Sequence, residues 1–252
     1  MKTIVLKLSG PLQAWGTKSH FEYRRTDYYP SKSGIIGLLA ACLGYRRDED
    51  EKIKKLNDLD FAVRIDQRGE LLRDYHIARK FKDNGEVNRT YVTNRYYLED
   101  GVFLVGLGHK DPDFIDSLVK AIKSPYFQPY FGRRSLPVNY DFLLAISDKD
   151  PVEALKNINW QAAGWYKKKN SDEKTRLEIY GDSNLVQNNY KELRKDRVIS
   201  FSQKERKFAY RYEGKITIDL VGLGLEEDEK TKENRTTDHD AFGAIGGEDV
   251  FI

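Results

Sequence analysis

The chain has 252 residues, which is enough for a sizeable core and for one or two domains. Hydrophobic residues make up 39% of it and charged residues 33%, as in soluble globular proteins. The net charge is only +3, so any nucleic-acid site must come from local groups of cations. The one cysteine, Cys42, excludes a disulfide within the chain and a cysteine-based zinc cluster, and it favours the cytoplasm. The sequence predicts neither a signal peptide nor a membrane partner.

The first predicted element is a strand over residues 3–8, because Ile4, Leu6 and Leu8 recur at every second position. A turn-like segment over 12–16 follows it. The next segment is a polar loop that carries basic and aromatic side chains, which are Lys18, His20, Tyr23, Arg24 and Arg25.

A helix is predicted over residues 31–43. Ser31 is a good N-cap, and Gly44 suits the position just after the helix end. Lys32 and Ser33 stand in the first turn, where free N–H groups and partial positive charge make a seat for a phosphate. The alternative is a packed helix whose small residues allow close contact. The spacing is not that of a nucleotide-binding P-loop.

The rest of the first half alternates strands and helices. Asn84-Gly85 is a strong hairpin turn signal, and basic arms flank it. With one further strand, the order of elements gives the split βαβ, ferredoxin-like layout. The predicted elements are a helix over 50–56, strands over 61–65 and 71–77, a hairpin over 78–97, a strand over 102–107 and a helix over 111–122 that is capped near Asp113.

The second half is predicted to be mainly β. A basic loop that contains glycine spans 130–137, and a charge run over 226–234 indicates a solvated loop. Between them the sequence predicts a short helix after Asp150, a strand over 177–180, a hairpin over 197–212 that turns around Lys204-Glu205, and a strand over 215–223.

Four regions combine cations with aromatic or hydroxyl side chains, namely 13–25, 31–33, 73–95 and 132–135. Arginine and lysine on loops suit phosphates, and tyrosine and tryptophan suit stacked, single-stranded bases. Each region alone is a weak signal, since a solvated surface explains most cations in any protein. Three of the four lie in loops with glycine or serine, or at a helix start, which favours RNA binding.

Catalytic motifs are poorly represented. The four histidines, His20, His76, His109 and His239, show no tight metal-ligand spacing. The stretch 238–240 favours a surface or capping role. His76 could act as a general base in RNA cleavage, together with Lys80, but a structural histidine on a strand is the simpler interpretation.

Several stretches together resemble the subtype I-E branch of the fifth numbered family of CRISPR-associated (Cas) proteins, in the RAMP superfamily. They follow the family order from the first strand to nearly the end of the chain. The matching stretches are LSGPLQAWG at 8–16, PSKSGIIGLLAA at 30–41, LRDYH at 72–76, TNRYYL at 93–98, FLV at 103–105, GRRS at 132–135 with Pro137, DR at 196–197, SF at 200–201 and HD at 239–240.

The resemblance implies an α+β fold with two domains. The first, over 1–138, would be ferredoxin-like (RRM-like) and carry a β-hairpin thumb at about 78–97. The second, over 139–252, would be smaller and β-rich. The stretch 167–195 is more polar and charged than the family pattern.

The resemblance also implies a noncatalytic subunit of the Cascade complex, which binds the 5′ handle of the CRISPR RNA (crRNA) in antiviral defence. The subunit would cap the backbone filament beside a backbone subunit and the large subunit, without cofactor, metal or small-molecule substrate. The alternative is a metal-independent endoribonuclease, as in the sister I-C branch, that uses His76 with Lys80 or a nearby tyrosine. The candidate RNA-binding residues are Gln13, Trp15, Lys18, Arg24, Arg25, Ser31, Lys32, Ser33, Arg73, His76, Asn94, Arg95, Tyr96, Arg133, Arg134 and Ser135.

Overall fold

The computed structural model of the protein describes residues 1–18, 22–170, 176–186 and 190–219. The strands are β1 (Lys2–Ser9), β2 (Leu12–Gln13), β3 (Tyr23–Arg24), β4 (Asp60–Gln67), β5 (Glu70–Phe81), β6 (Val87–Glu99), β7 (Val102–His109), β8 (Leu143–Ser147), β9 (Arg176–Asp182), β10 (Lys191–Ser200) and β11 (Lys207–Asp219). The helices are α1 (Lys32–Cys42), α2 (Asp50–Lys55), α3 (Pro112–Lys123), α4 (Pro151–Lys156) and α5 (Gly164–Lys169), with a 3₁₀ turn at Leu56–Asp58.

The fold is mixed α/β and dominated by a seven-stranded sheet with the order β10-β11-β9-β4-β7-β1-β8. The interior strand β7 is buried along almost its whole length, because apolar residues occupy both of its faces. On one face α1 and α3 pack over Leu6, Phe103 and their neighbours in the main core. On the other face α4 covers Val5 and Leu104 in a smaller core.

The ends of α1 follow from its sequence, and the predicted helix is confirmed. The Ser31 side chain accepts a hydrogen bond from Gly34 N at 3.2 Å, which caps the first turn. Gly44 has φ +76°, which only glycine adopts readily after a helix end. Cys42 is buried on the apolar face, as its position predicts. In α3 the N-cap is Asp111, whose carboxylate accepts from the next turn, and not the expected Asp113.

The hairpin of β5 and β6 stands apart from the large sheet. Its turn is closed by Lys82 N, which donates to Glu86 O at 2.8 Å, and Gly85 has φ +84°. The predicted turn at Asn84-Gly85 is therefore confirmed. The short strands β2 and β3 lie on the other edge of β6, so the hairpin base belongs to a second, four-stranded sheet.

The C-terminal half adds β8 to β11 to the same large sheet. The stretch 215–219 continues β11, which pairs with β9 as far as Asp219, so the separate strand expected from Lys215 was wrong over these residues. The residues from 220 on, with the charge run and 238–240, lie outside the described residues. Strands from both sides of residue 138 share one sheet, because β8 pairs with β1; the two-domain division stays a prediction.

The described residues contain no helix long and apolar enough to cross a membrane. Within the same ranges, no group of three or more His, Cys, Asp or Glu side chains is placed to hold a metal ion.

Candidate nucleic-acid interface

The base of the hairpin brings cations from distant segments together. Arg24 on β3 lies opposite Arg95 on β6 in a parallel pairing. Directly opposed residues share a face of the sheet, so both side chains project to the side that also carries Tyr97. Asp74 faces Arg95 across β5, yet Arg95 forms no ion pair with any described residue.

Arg133 joins this face from the loop over 130–137. Its guanidinium lies 4.1 Å from the centre of the Tyr97 ring. Its Nη2 donates to the carbonyl oxygens of Arg24 at 2.8 Å and of Tyr96 at 2.9 Å. We call Arg24, Arg95 and Arg133 the arginine cluster.

Gly132 is what lets the loop approach so closely. Its φ is +82°, and a Cβ at this position would overlap the carbonyl oxygen of Ala14. The backbone of Ala14 also donates to Phe131 O at 3.1 Å. The loop is thus held against the N-terminal segment, and Arg133 is aimed from a fixed base.

Among the described residues, no carboxylate forms an ion pair with the arginine cluster, although Asp74 lies opposite Arg95. Burial lowers the pKa of Arg133; contact with Tyr97 opposes this, while the charges of Arg95 and Arg24 lower it further. Arg95 Nε and Arg133 Nη1 are buried and have no hydrogen-bond partner in the described ranges, and the same holds for His76 Nδ1. Buried charged donors are costly when unpaired, and phosphate oxygens are acceptors that would satisfy them.

The opposite face of the hairpin base carries tyrosines. Tyr75 is 58% exposed, and Tyr23, which lies beside Asn94, is 46% exposed. Arg73 is exposed and its Nε donates to the buried Asn94 side chain at 2.9 Å. Half-buried Tyr96 lies opposite Arg73. We call this side the tyrosine face, and it offers rings for stacking and one arginine.

Large apolar side chains are exposed along both strands of the hairpin, from its base to its tip. Such a series on an arm is typical of a surface that another chain covers. The exposed residues are Leu71, Tyr75, Ile77, Phe81, Val87 and Val92.

Ser31, Lys32 and Ser33, the predicted phosphate seat, make contacts inside the protein. All three are buried. Lys32 Nζ donates to Asp182 at 2.9 Å, and Lys32 N donates to Asp196 at 2.9 Å. Protein carboxylates therefore occupy the N-terminus of α1 in the positions that a phosphate would take.

These carboxylates belong to a buried ion network that joins α1 to the C-terminal strands. Arg211 donates to Asp196 at 2.7 and 3.0 Å, to Asp182 at 3.2 Å and to Glu213 at 2.6 Å. Burial alone would lower the pKa of Arg211, but Asp196, Glu213 and Asp182 outweigh it and raise that pKa. Arg194 adds a second guanidinium, 3.1 Å from Glu213. We call this set, with Lys32, the buried network.

Gln13 and Trp15 are also buried. Gln13 Nε2 donates to Gly101 O at 2.7 Å, and its Oε1 accepts from Trp15 Nε1 at 2.9 Å. The Trp15 ring lies close to Gly34, where an added Cβ would come within 3.0 Å of it. These two side chains therefore make internal contacts that hold the N-terminal segment against α1 and the start of β7.

The remaining predicted residues are spread along the surface. Lys18, Arg25, Arg134 and Ser135 are exposed. His76 and Lys80 point to the same face of β5, but a spacing of four strand residues separates their Cα atoms by about 13 Å.

Sequence reasoning did not single out two features of this site. Tyr97, which stacks on Arg133, could have been found from the alternation that puts it on the Arg95 side of β6. The pairing of β3 with β6 has no sequence signal, because β3 has only two residues.

Comparisons with known proteins agree on one relationship. A family model described as CRISPR-associated protein (Cas_Cas5) matches residues 3–212. The CRISPR system Cascade subunit CasD of Escherichia coli (strain K12) is 38% identical over 177 residues, which are 64% of this chain and 78% of that protein. A solved structure of a CRISPR RNA-guided surveillance complex contains a chain with TM-score 0.72 and 28% identity, over 90% of this chain and 96% of that one. A crystal structure of a Cas protein gives TM-score 0.63 and 31% identity, over 87% and 96%.

Proposed function

The chain belongs to the Cas5 family of CRISPR-associated proteins, and from this we propose that it is a noncatalytic subunit of a type I-E Cascade complex. In this role it binds the 5′ handle of the crRNA and caps the backbone filament, in antiviral defence. The observation that carries the proposal is the arginine cluster, where buried guanidinium donors lack partners within the described ranges. A single-stranded handle that bends around the hairpin base would place phosphates on this cluster and bases on the tyrosine face.

The fold supports the same proposal. The strands β4, β7, β1 and β8 are consecutive in the sheet and each neighbouring pair is antiparallel. Two helices, α1 and α3, follow the first and third of these strands in the chain. The proposed ferredoxin-like, split βαβ layout requires this order of strands and helices. The hairpin of β5 and β6 would be its thumb, inserted between the second and third strands.

Surface chemistry supports the proposed partners. The apolar side chains exposed on the hairpin suit a protein neighbour, which we take to be the adjacent backbone subunit. The large subunit would lie beside the handle.

The test is RNA binding by the purified chain, with crRNA that co-purifies from cells as the probe. The single variant Arg95→Gln and the double variant Arg95→Gln/Arg133→Gln remove cations of the cluster. We expect the double variant to bind at least about tenfold more weakly, equal to about 1.4 kcal/mol, and the salt slope to fall by about 1.4.

The matched control is Lys120→Gln/Lys123→Gln, which removes the same charge from the exposed side of α3. Urea unfolding of every variant separates lost binding from lost stability. Unchanged affinity in both cluster variants, or an equal loss in the control, would contradict the proposal.

The alternative, cleavage of repeat RNA by His76 with Lys80, lacks a geometry that favours it, since the two residues are far apart along β5. We expect RNA with the repeat sequence to stay intact when it is incubated with the pure chain without divalent metal. A discrete product that disappears in His76→Ala would make the protein an endoribonuclease.

A further inference from the structure

The short helix α5 presents an aromatic and basic surface. Its six residues have the sequence Gly-Trp-Tyr-Lys-Lys-Lys, and none of them is buried. Trp165 is 57% exposed, although tryptophan is one of the side chains that proteins most often cover. Lys167, Lys168 and Lys169 follow it and form no ion pair with any described residue.

The helix α2 has the same length and the same number of lysines as α5, but its lysines have acidic neighbours. It carries Asp50 and Glu51 in its first turn. Lys52 pairs with Glu49 at 2.5 Å, and Lys54 pairs with Glu51 at 2.8 Å. The six residues of α5 include no acidic residue, and within the described ranges its lysines form no ion pair; Lys167 lies 5.9 Å from the centre of the Trp160 ring.

The helix is fixed in place beside the base of the hairpin. Trp160 Nε1 donates to Asp66 O at 2.7 Å, and the Tyr166 ring packs edge-on against Trp160. Ala163 N donates to the Gln67 side chain at 3.0 Å, and Gln67 Nε2 donates to Asp100 O at 2.6 Å. Asp100 directly follows β6, so α5 is attached at the end of the hairpin that carries the arginine cluster.

We propose that Trp165 with Lys167, Lys168 and Lys169 forms a second contact for single-stranded nucleic acid, separate from the arginine cluster. The indole would stack on a base, and the lysines would neutralise the neighbouring phosphates. An exposed ring next to several cations is the combination that single strands need, whereas an acidic peptide needs only the charge. Only the link between this second contact and the crRNA rests on the proposed function.

Tryptophan fluorescence reports on this surface selectively. Trp15 and Trp160 are each only 2% exposed, so Trp165 is the indole that a ligand can reach. The probes are ten-nucleotide oligouridine, ten-nucleotide oligothymidine and polyglutamate, each added to the full chain at low salt. We expect both oligonucleotides to quench the fluorescence and polyglutamate to leave it unchanged. The oligonucleotide that binds more tightly shows whether the surface prefers RNA or DNA.

Three variants complete the test. Trp165→Phe should lose the quenching. Lys167→Gln/Lys168→Gln/Lys169→Gln should weaken oligonucleotide binding at least about fivefold and lower the salt slope by about 2, since each phosphate contact on a single strand contributes about 0.7. The matched control is Lys52→Gln/Lys54→Gln/Lys55→Gln on α2, which should bind as the wild type does.

Absence of quenching, equal quenching by polyglutamate, quenching that persists in Trp165→Phe, or an equal loss in the α2 control would each overturn the inference. Arg95→Gln/Arg133→Gln should keep the Trp165 signal. The proposal for the arginine cluster and the proposal for α5 are therefore tested by different variants.

Discussion

Two groups of arginines in this molecule have opposite surroundings. In the buried network, Arg194 and Arg211 are enclosed by carboxylates that come from β9, β10 and β11. In the arginine cluster, Arg133 has two backbone carbonyls, a tyrosine ring and two other arginines around it. The same side chain therefore serves to join segments in one place and is left available to an anion in the other.

The pKa directions make the same distinction. In the network, three carboxylates raise the pKa of Arg211 in spite of its burial. In the cluster, burial and the neighbouring cations lower the pKa of Arg133, with only Tyr97 opposing them. A group whose charge is unfavourable in the free protein gains most when an anion binds, so the cluster is the better candidate for the handle.

The largest effect is expected from breaking the buried network. Asp196 is fully buried and accepts hydrogen bonds from Lys32 N and from Arg211. Asp196→Ala removes the acceptor of Lys32 N and one of the three carboxylates that contact Arg211, and we expect the free energy of unfolding to fall by about 3–5 kcal/mol. Urea denaturation followed by circular dichroism measures this change.

The control for this variant is Asp219→Ala. Asp219 is paired with Arg176, but both side chains are about two-thirds exposed, at 68% and 67%. Solvent screens such a pair, and its loss should hardly move the unfolding midpoint. Equal effects of the two substitutions would show that the network does not hold the C-terminal strands to α1.

A second variant separates the arginine cluster from the arm beyond it. Deletion of residues 81–89, bridged by Gly-Gly, shortens the hairpin and leaves Arg95 and Arg133 in place. We expect RNA binding by the isolated chain to change little. Assembly of RNA with the backbone subunit should fall at least about tenfold, or 1.4 kcal/mol, because the tip of the hairpin with exposed Phe81 and Val87 is gone.

Pull-down of the backbone subunit with tagged chain and RNA measures this effect. Assembly at the wild-type level would show that the arm does not contribute to the filament. Loss of RNA binding by the isolated deletion variant would place the main contact on the arm and not at its base.

The smallest effect on RNA binding is expected at Lys32. Its ammonium is already paired with Asp182, so Lys32→Met should reduce stability by about 1–3 kcal/mol and leave the salt slope of RNA binding unchanged. The slope is obtained from affinities at several salt concentrations. A slope lower by about 0.7 would place a phosphate at the start of α1 and remove the distinction between the two groups.

Much of the fold could be predicted from local patterns. Alternating apolar residues identify β1 and β4, and capping residues give both ends of α1. The strand β8 was not predicted from the sequence. Its five residues form a strand by pairing with β1. In the same way, β11 continues as one strand to Asp219 because it pairs with β9 over these residues.

For the site, the kinds of residue could be predicted from the sequence, but the partners that each residue contacts could not. A lysine in the first turn of α1 suits a phosphate and suits a buried carboxylate equally well. What decides is the position of Asp182 and Asp196, which lie 150 and 164 residues further along the chain. In the same way, Arg24 and Arg133 converge through contacts separated by 109 residues.

The apolar side chains on the hairpin also have a consequence for synthesis. A long two-stranded arm with several exposed large side chains is a site where copies of a protein associate wrongly until a neighbour covers it. Copies made in excess of their neighbours would be lost to aggregation or proteolysis. If the proposed backbone subunit covers the arm, the abundance of this chain would be coupled to that of the subunit, and the two would have to be produced in balanced amounts.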